Sequence, residues 1–167
     1  MKYGKIKPID IANGEGVRVS VFVSGCPHKC KGCFNQELWD YDAGQIFDHD
    51  TINEILKMSN KYYVAGLSLL GGEPLDPHNL PLLNLLCSAF KKRFPQKNIW
   101  CYTGYKWEDV KQLHIMKHID VLVDGKFVQD LADPRLKFRG SSNQRIIDVK
   151  KSLESGGVFL RKELMGD

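Results

Sequence analysis

Short runs of apolar, β-branched residues alternate along this chain with segments whose apolar residues recur at helical spacing, and this alternation limits the possible folds more than any other feature. Val17–Ser24 (VRVSVFVS) reads as a strand stopped by Gly25, and Leu67–Leu70 as a short buried strand running into Gly71-Gly72. Asn98–Tyr102 reads as a strand ended at Thr103-Gly104, and Ile119–Val123 as one ending at Asp124-Gly125. Between them, Asp50–Asn60 reads as a helix with Asp50 as N-cap and Ile52, Ile55 and Leu56 on one face. Asn79–Phe94 reads as a second helix, with Asn79 as N-cap and Pro81 in the first turn, and Trp107–Lys117 as a third. Phe138–Val149 offers a further strand and Gly157–Leu160 a last one. Strands separated by helices imply parallel pairing with crossover connections, an α/β fold. A chain of 167 residues buries roughly 70% of its unfolded surface without staples, so residues 1–167 are expected to form a single domain.

Composition removes several classes of function. The N-terminus MKYGKIKPID has no apolar core of the kind a secretory signal carries, and no apolar run approaches the roughly 20 residues needed to cross a bilayer. The expectation is a cytoplasmic protein with no membrane role. A net charge of +4, without any block of five like charges, is that of a solvated surface rather than a nucleic-acid-binding one. The polar stretch Gln129–Arg145 is expected to be a long ordered loop or a partner surface.

The residues with chemical potential fall where strands end: Cys26, Gly71, Thr103 and Asp124. In parallel α/β folds ligands gather at the C-terminal ends of strands, so four such ends point to one shared site. Five cysteines in a chain with no export signal argue for metal or redox chemistry, and three of them lie in the loop 25–34 as C-x3-C-x2-C: Cys26, Cys30 and Cys33. Three soft thiolates suit an iron–sulfur cluster with one iron left open, or a zinc site with His28 as fourth ligand. Gly71-Gly72-Glu73-Pro74 reads either as a strand-ending turn or as a place where carbonyl oxygens approach a cationic ligand.

The cysteine triplet after the first strand, followed by Gly71-Gly72-Glu73-Pro74 after the second, resembles the radical S-adenosylmethionine (SAM) superfamily. Asn13-Gly14-Glu15-Gly16-Val17-Arg18, Tyr102-Thr103-Gly104-Tyr105, Val123-Asp124-Gly125-Lys126-Phe127 and Arg139-Gly140-Ser141-Ser142-Asn143-Gln144-Arg145 follow in order. Together they are similar to the activating proteins of anaerobic (class III) ribonucleoside-triphosphate reductases, over roughly residues 3–147. The resemblance implies a partial, open β/α barrel and a [4Fe–4S] cluster on Cys26, Cys30 and Cys33. It also implies SAM bound at the open iron and cleaved by one electron to a 5′-deoxyadenosyl radical, which makes a glycyl radical on the partner reductase. The electron donor it implies is flavodoxin-like. Carried over residue by residue, it places SAM against Gly71, Gly72 and Glu73, with the Gly32, Cys33 and Phe34 segment near adenine. Gly32 departs from the aromatic residue common at that place in the wider superfamily. Lys126 is the candidate for the SAM carboxylate with Asp124 orienting it, and Thr103 lines the pocket. The alternative for Asp124 and Lys126 is an exposed turn, since Asp-Gly is a common turn pair. No further catalytic acid, base or nucleophile is required. The C-terminal tail, about 148–167, carries no matching signature.

Other residues read as structural. Arg18 and Arg145 are read as surface or structural ion pairs, with SAM or partner contact as the alternative. Cys87 and Cys101 are read as core, as free cysteine behaves as a small hydrophobe, and Trp39, Trp100 and Trp107 as packing residues. Two rival functions stay open. One is a small-molecule radical SAM enzyme of the deazaguanine-synthase type, using Arg139–Arg145 for its substrate; the other is a non-catalytic zinc-binding module.

Overall fold

The computed structural model describes residues 1–166, and Asp167, the last residue of the tail, lies outside the described residues. Seven strands form one mixed sheet: β1 (Lys2–Asp10), β2 (Val17–Val23), β3 (Gln45–Ile46), β4 (Val64–Gly71), β5 (Asn98–Tyr102), β6 (Val121–Asp124) and β7 (Arg145–Asp148). Four helices accompany them: α1 (His49–Ser59), α2 (Leu80–Arg93), α3 (Trp107–Val110) and α4 (Val149–Ser155). The sheet order is β3-β1-β2-β4-β5-β6-β7. The pairs β2–β4, β4–β5 and β5–β6 are parallel, as the alternation implied, whereas β1–β2, β1–β3 and β6–β7 are antiparallel.

The parallel strands alternate between two buried faces. On one, Val19, Val21, Val23, Leu67, Leu69, Ile99, Cys101 and Leu122 pack against Ile52 and Ile55 of α1 and Leu83, Leu86 and Phe90 of α2. Cys87 and Cys101 are wholly buried there, and burial pushes the Cys87 thiol up to about 12. The opposite face presents Phe22 and Leu70, then Trp100, Val121, Val123 and Ile146, with half-buried Tyr102 packed against both groups. Among the described residues, none of α1–α4 contributes to the clusters on this second face, and the candidate site lies there.

Arg18 also lies on that face and is fully buried, not a surface ion pair. Its guanidinium donates to Ser68 Oγ (2.7 Å) and to the carbonyls of Glu15 (2.9 Å), Leu67 (2.9 Å) and Asn98 (3.3 Å). It stands 5.6 Å from the centre of the Trp100 ring, and burial lowers its pKa to about 10, so it stays charged at neutral pH. Ser68 Oγ in turn donates to the Asn13 carbonyl (2.6 Å), so this one cation pins the 13–16 loop to β4.

Several local expectations are corrected. Asp48, not Asp50, caps α1: its carboxylate accepts from the Thr51 amide (3.0 Å) while Thr51 Oγ1 accepts from the Asp48 amide (3.2 Å). Asn79 occupies the N-cap position of α2, but its side chain makes no cap and is used elsewhere. The Trp107–Lys117 segment is not one helix. Leu113 takes extended backbone and splits it into α3 and a 3-10 turn, His114–Lys117. Gly157–Leu160 contributes only an isolated bridge from Leu160 to Ile147 instead of a strand, and the tail instead supplies α4.

Candidate functional site

Strand β2 ends at Val23, and the chain then crosses the C-terminal ends of the parallel strands as the cysteine loop. Neighbouring backbone holds the start of that loop from two sides. The Gly25 amide donates to Leu38 O (2.8 Å) and the Cys26 amide to Trp39 O (3.2 Å). From the other side, the Gly72 amide donates to Val23 O and the Glu73 amide to Gly25 O, each at 2.7 Å. The β2–β4 pairing is thereby extended past the strands, which lays Gly71-Gly72-Glu73 directly against the residue before Cys26. The two glycines are needed for this contact as such. Gly71 has φ of 107°, and a Cβ there would lie 2.7 Å from Val23 N and O, while one on Gly72 would lie 2.6 Å from Gly25 O.

Cys26, Cys30 and Cys33 are each half-buried and open onto one cleft of about 460 Å3, within the size range of ligand sites. Backbone amides serve their sulfurs. The Asn35 N–H lies 3.4 Å from Cys33 Sγ, those of His28 and Lys29 face Cys26, and that of Phe127 faces Cys30. Burial pushes the Cys26 thiol up to about 11 and raises Cys30, with these amide donors acting in the opposite sense. A metal must therefore displace protons from at least these two thiols, and the amides stand ready to support the thiolates that result.

Three thiols in one loop suit a cluster with one open corner. His28, the candidate fourth ligand of a zinc site, has Nε2 2.6 Å from Glu73 Oε1 and its ring packed edge-on against Tyr105. Among the described residues, no three His, Cys, Asp or Glu side chains are gathered so as to hold a single metal ion. Farther in, the cleft runs over the open sheet face past Phe22, Leu70, Tyr102 and Phe138 toward Lys5, Lys7 and Asn13. Three buried polar atoms of its lining residues, Tyr102 Oη, Trp39 Nε1 and Arg139 Nε, have no hydrogen-bond partner among the described residues. Buried polar atoms are normally paired, so such a lining suits a polar ligand. Trp39 is thus a cleft residue as well as a packing one, while Trp100 and Trp107 are buried.

Glu73 is fully buried. Its carboxylate accepts from His28 Nε2, from Thr103 Oγ1 (2.9 Å to either oxygen), from the Gly104 amide (2.8 Å) and from the Leu75 amide (2.9 Å). Asn79, released from capping, donates to Ser24 O (3.1 Å) and Glu73 O (2.9 Å) and so clamps the same two loops from below. Sequence reasoning had no signal for this role, because an Asn before a helix reads first as a cap.

The structure brings Cys33, Phe34, Gly71, Gly72, Glu73 and Thr103 to the cleft wall. Phe34 is 74% exposed at its mouth, 5.1 Å from the Phe127 ring, and Gly32 sits beside the Gln129 side chain. Asp124 and Lys126 lie in an adjoining depression that shares His28, Gly104 and Gly125 with the cleft. Asp124 is buried, and its carboxylate accepts from Arg145 Nε (3.0 Å) and the Trp107 amide (2.8 Å). It pins β6 to α3 and β7 and has no contact with the Lys126 ammonium. Arg145 also pairs with Glu108 (2.8 Å), so it is a structural ion pair, and the Asp124 carboxylate raises its pKa. Lys126 is exposed, and its charge favours the Cys30 thiolate.

The class of protein that this loop and cleft define is met by a family model: residues 12–147 match one described as a 4Fe-4S single cluster domain. The chain is 47% identical to the anaerobic ribonucleoside-triphosphate reductase-activating protein of Enterobacteria phage T4, over 87% of this chain and 93% of that one. It is 45% identical to the proteins of the same name from Haemophilus influenzae, over 87% and 97%, and Escherichia coli K12, over 86% and 96%. The chain belongs to the family of anaerobic ribonucleoside-triphosphate reductase-activating proteins.

Proposed function

We propose that this protein activates an anaerobic ribonucleoside-triphosphate reductase by generating a glycyl radical on it, using a [4Fe–4S] cluster and SAM. The observation that carries the reading is the convergence, on one cleft, of Cys26, Cys30 and Cys33 with the Gly71-Gly72-Glu73 loop. When bound, the cluster and SAM together supply one-electron cleavage to a 5′-deoxyadenosyl radical. The protein's own part is to bind, orient and exclude water.

In this reading Cys26, Cys30 and Cys33 hold three irons, and carbonyls of Gly71 and Gly72 take the SAM ammonium. Thr103 fixes Glu73 beneath them. Lys126, exposed on its turn, reaches the SAM carboxylate, while Asp124 keeps that turn in place through Arg145. The Gly32–Phe34 backbone and the Phe34 ring serve the adenine. The sheet is read as a partial, open barrel whose uncovered face admits the reductase's glycine segment, and residues 1–167 as one domain. A flavodoxin-like donor supplies the electron, in a cytoplasmic setting that keeps thiols reduced. Among the described residues no helix is long and apolar enough to cross a membrane.

The test is anaerobic mixing of iron-loaded protein with the reductase, SAM and a reductant, followed by electron paramagnetic resonance. A glycyl radical is expected on the reductase, absent when Cys26, Cys30 or Cys33 is replaced by Ala. SAM cleavage without that radical would favour a small-molecule substrate, and colourless protein with stoichiometric zinc would reject the enzyme reading.

A further inference from the structure

Between Cys26 and Cys30 the loop carries Pro27, His28 and Lys29, and His28 alone turns inward: its side chain is 7% exposed, whereas Pro27 and Lys29 face solvent. Its ring meets Tyr105 edge-on with centres 4.6 Å apart and covers Gly104 so closely that a Cβ there would lie 2.5 Å from it. Its Nε2 lies 2.6 Å from Glu73 Oε1, within hydrogen-bond distance. Glu73 therefore grips the cluster loop twice. Its amide holds Gly25 just before Cys26, and its carboxylate holds His28 just after it.

We infer that His28 is a positioning residue, setting the cluster loop in register with the Gly71-Gly72-Glu73 loop so that the open corner of the cluster faces the cosubstrate. The inference rests on the function proposed above. Removing the imidazole leaves the Glu73 carboxylate with Thr103 Oγ1 and the Gly104 and Leu75 amides, so the carboxylate stays in place. The loss falls on the loop between the first two cysteines. This separates the role from a general contribution to folding.

The experiment compares His28→Ala, His28→Gln and His28→Asn with the native protein, each loaded with iron anaerobically. Gln places a donor nitrogen near the native Nε2 position, and Asn falls short of it. Iron content and the SAM-free paramagnetic signal are expected to be native in all three. The SAM concentration that half-converts the signal is expected to rise about tenfold in His28→Ala and His28→Asn, the worth of a hydrogen bond to a charged group, and to return toward native in His28→Gln. In the iron-free proteins, hydrogen exchange of the 26–33 amides is expected to quicken in Ala and Asn and recover in Gln. A native response to SAM in every variant would overturn the inference while leaving the proposed function standing. Loss of iron from His28→Ala would overturn it in favour of ligation or folding. A native protein whose signal ignores SAM would overturn the function and the inference with it.

Discussion

The Tyr102 hydroxyl, on a residue lining the cleft at the last position of β5, is buried with no hydrogen-bond partner among the described residues, and burial raises its pKa. A buried hydroxyl without a partner costs about 1–3 kcal/mol, a cost that a polar group of a bound ligand reaching it would offset. Tyr102→Phe is accordingly expected to leave the melting temperature of the empty protein unchanged or slightly higher. Turnover of the iron-loaded protein should fall about tenfold. Calorimetry and a SAM-cleavage assay check the two halves, and a lower melting temperature with native turnover would show the hydroxyl to be structural. Residues of this kind are hard to read from sequence. Cys26, Cys30 and Cys33 were legible because their spacing has few chemical uses, whereas Tyr102 in IWCY looks like any strand aromatic, and Trp39 like any packing indole. Glu73 was legible as a site residue, but its partners His28, Thr103 and Gly104 come from two other strand ends that no spacing rule connects.

At the level of elements, the parallel strands were legible because each is buried on both faces and reads as a continuous apolar run. Strand β1 was not: in KYGKIKPID Lys5 and Lys7 are exposed, Pro8 falls within the strand, and the pairing with β2 slips between Lys7 and Asp10. Such a strand near the sheet edge has a polar pattern indistinguishable from a loop. The β2 and β4 ends make the sharper prediction. Gly72→Ala puts a methyl 2.6 Å from Gly25 O, a contact with backbone that has no side chain to yield. The loop after β4 must then part from the cluster loop. Iron loading is expected to fall severely while far-ultraviolet circular dichroism stays native; full iron loading would show that the two loops separate without consequence.

For the whole molecule, the tail after β7 folds back onto the sheet. The Arg161 amide donates to Ile146 O (2.8 Å), Arg161 pairs with Glu15 (3.0 Å), and Arg139 Nη2 donates to Met165 O (3.1 Å). These contacts tie the chain's end to the 13–16 loop and to the polar 129–145 segment, far from the cysteines in sequence. A chain ending at Gly156 is expected to melt several degrees lower, since it loses an edge of the sheet's support, yet to load iron as the full chain does. Thermal melts and iron assays decide it, and loss of iron would mean that the tail helps shape the cleft. The tail's packing was not legible because its partners Glu15, Arg139 and Ile146 lie on segments that no spacing rule connects to it.

One buried carboxylate knots three chain segments together, and this has a bearing on exchange between related proteins. A cysteine loop transplanted into this scaffold would bring its sulfurs but arrive untethered unless it carried a ring nitrogen or an equivalent donor two places after the first of them. The loop and its host must therefore be inherited, or engineered, as a matched set.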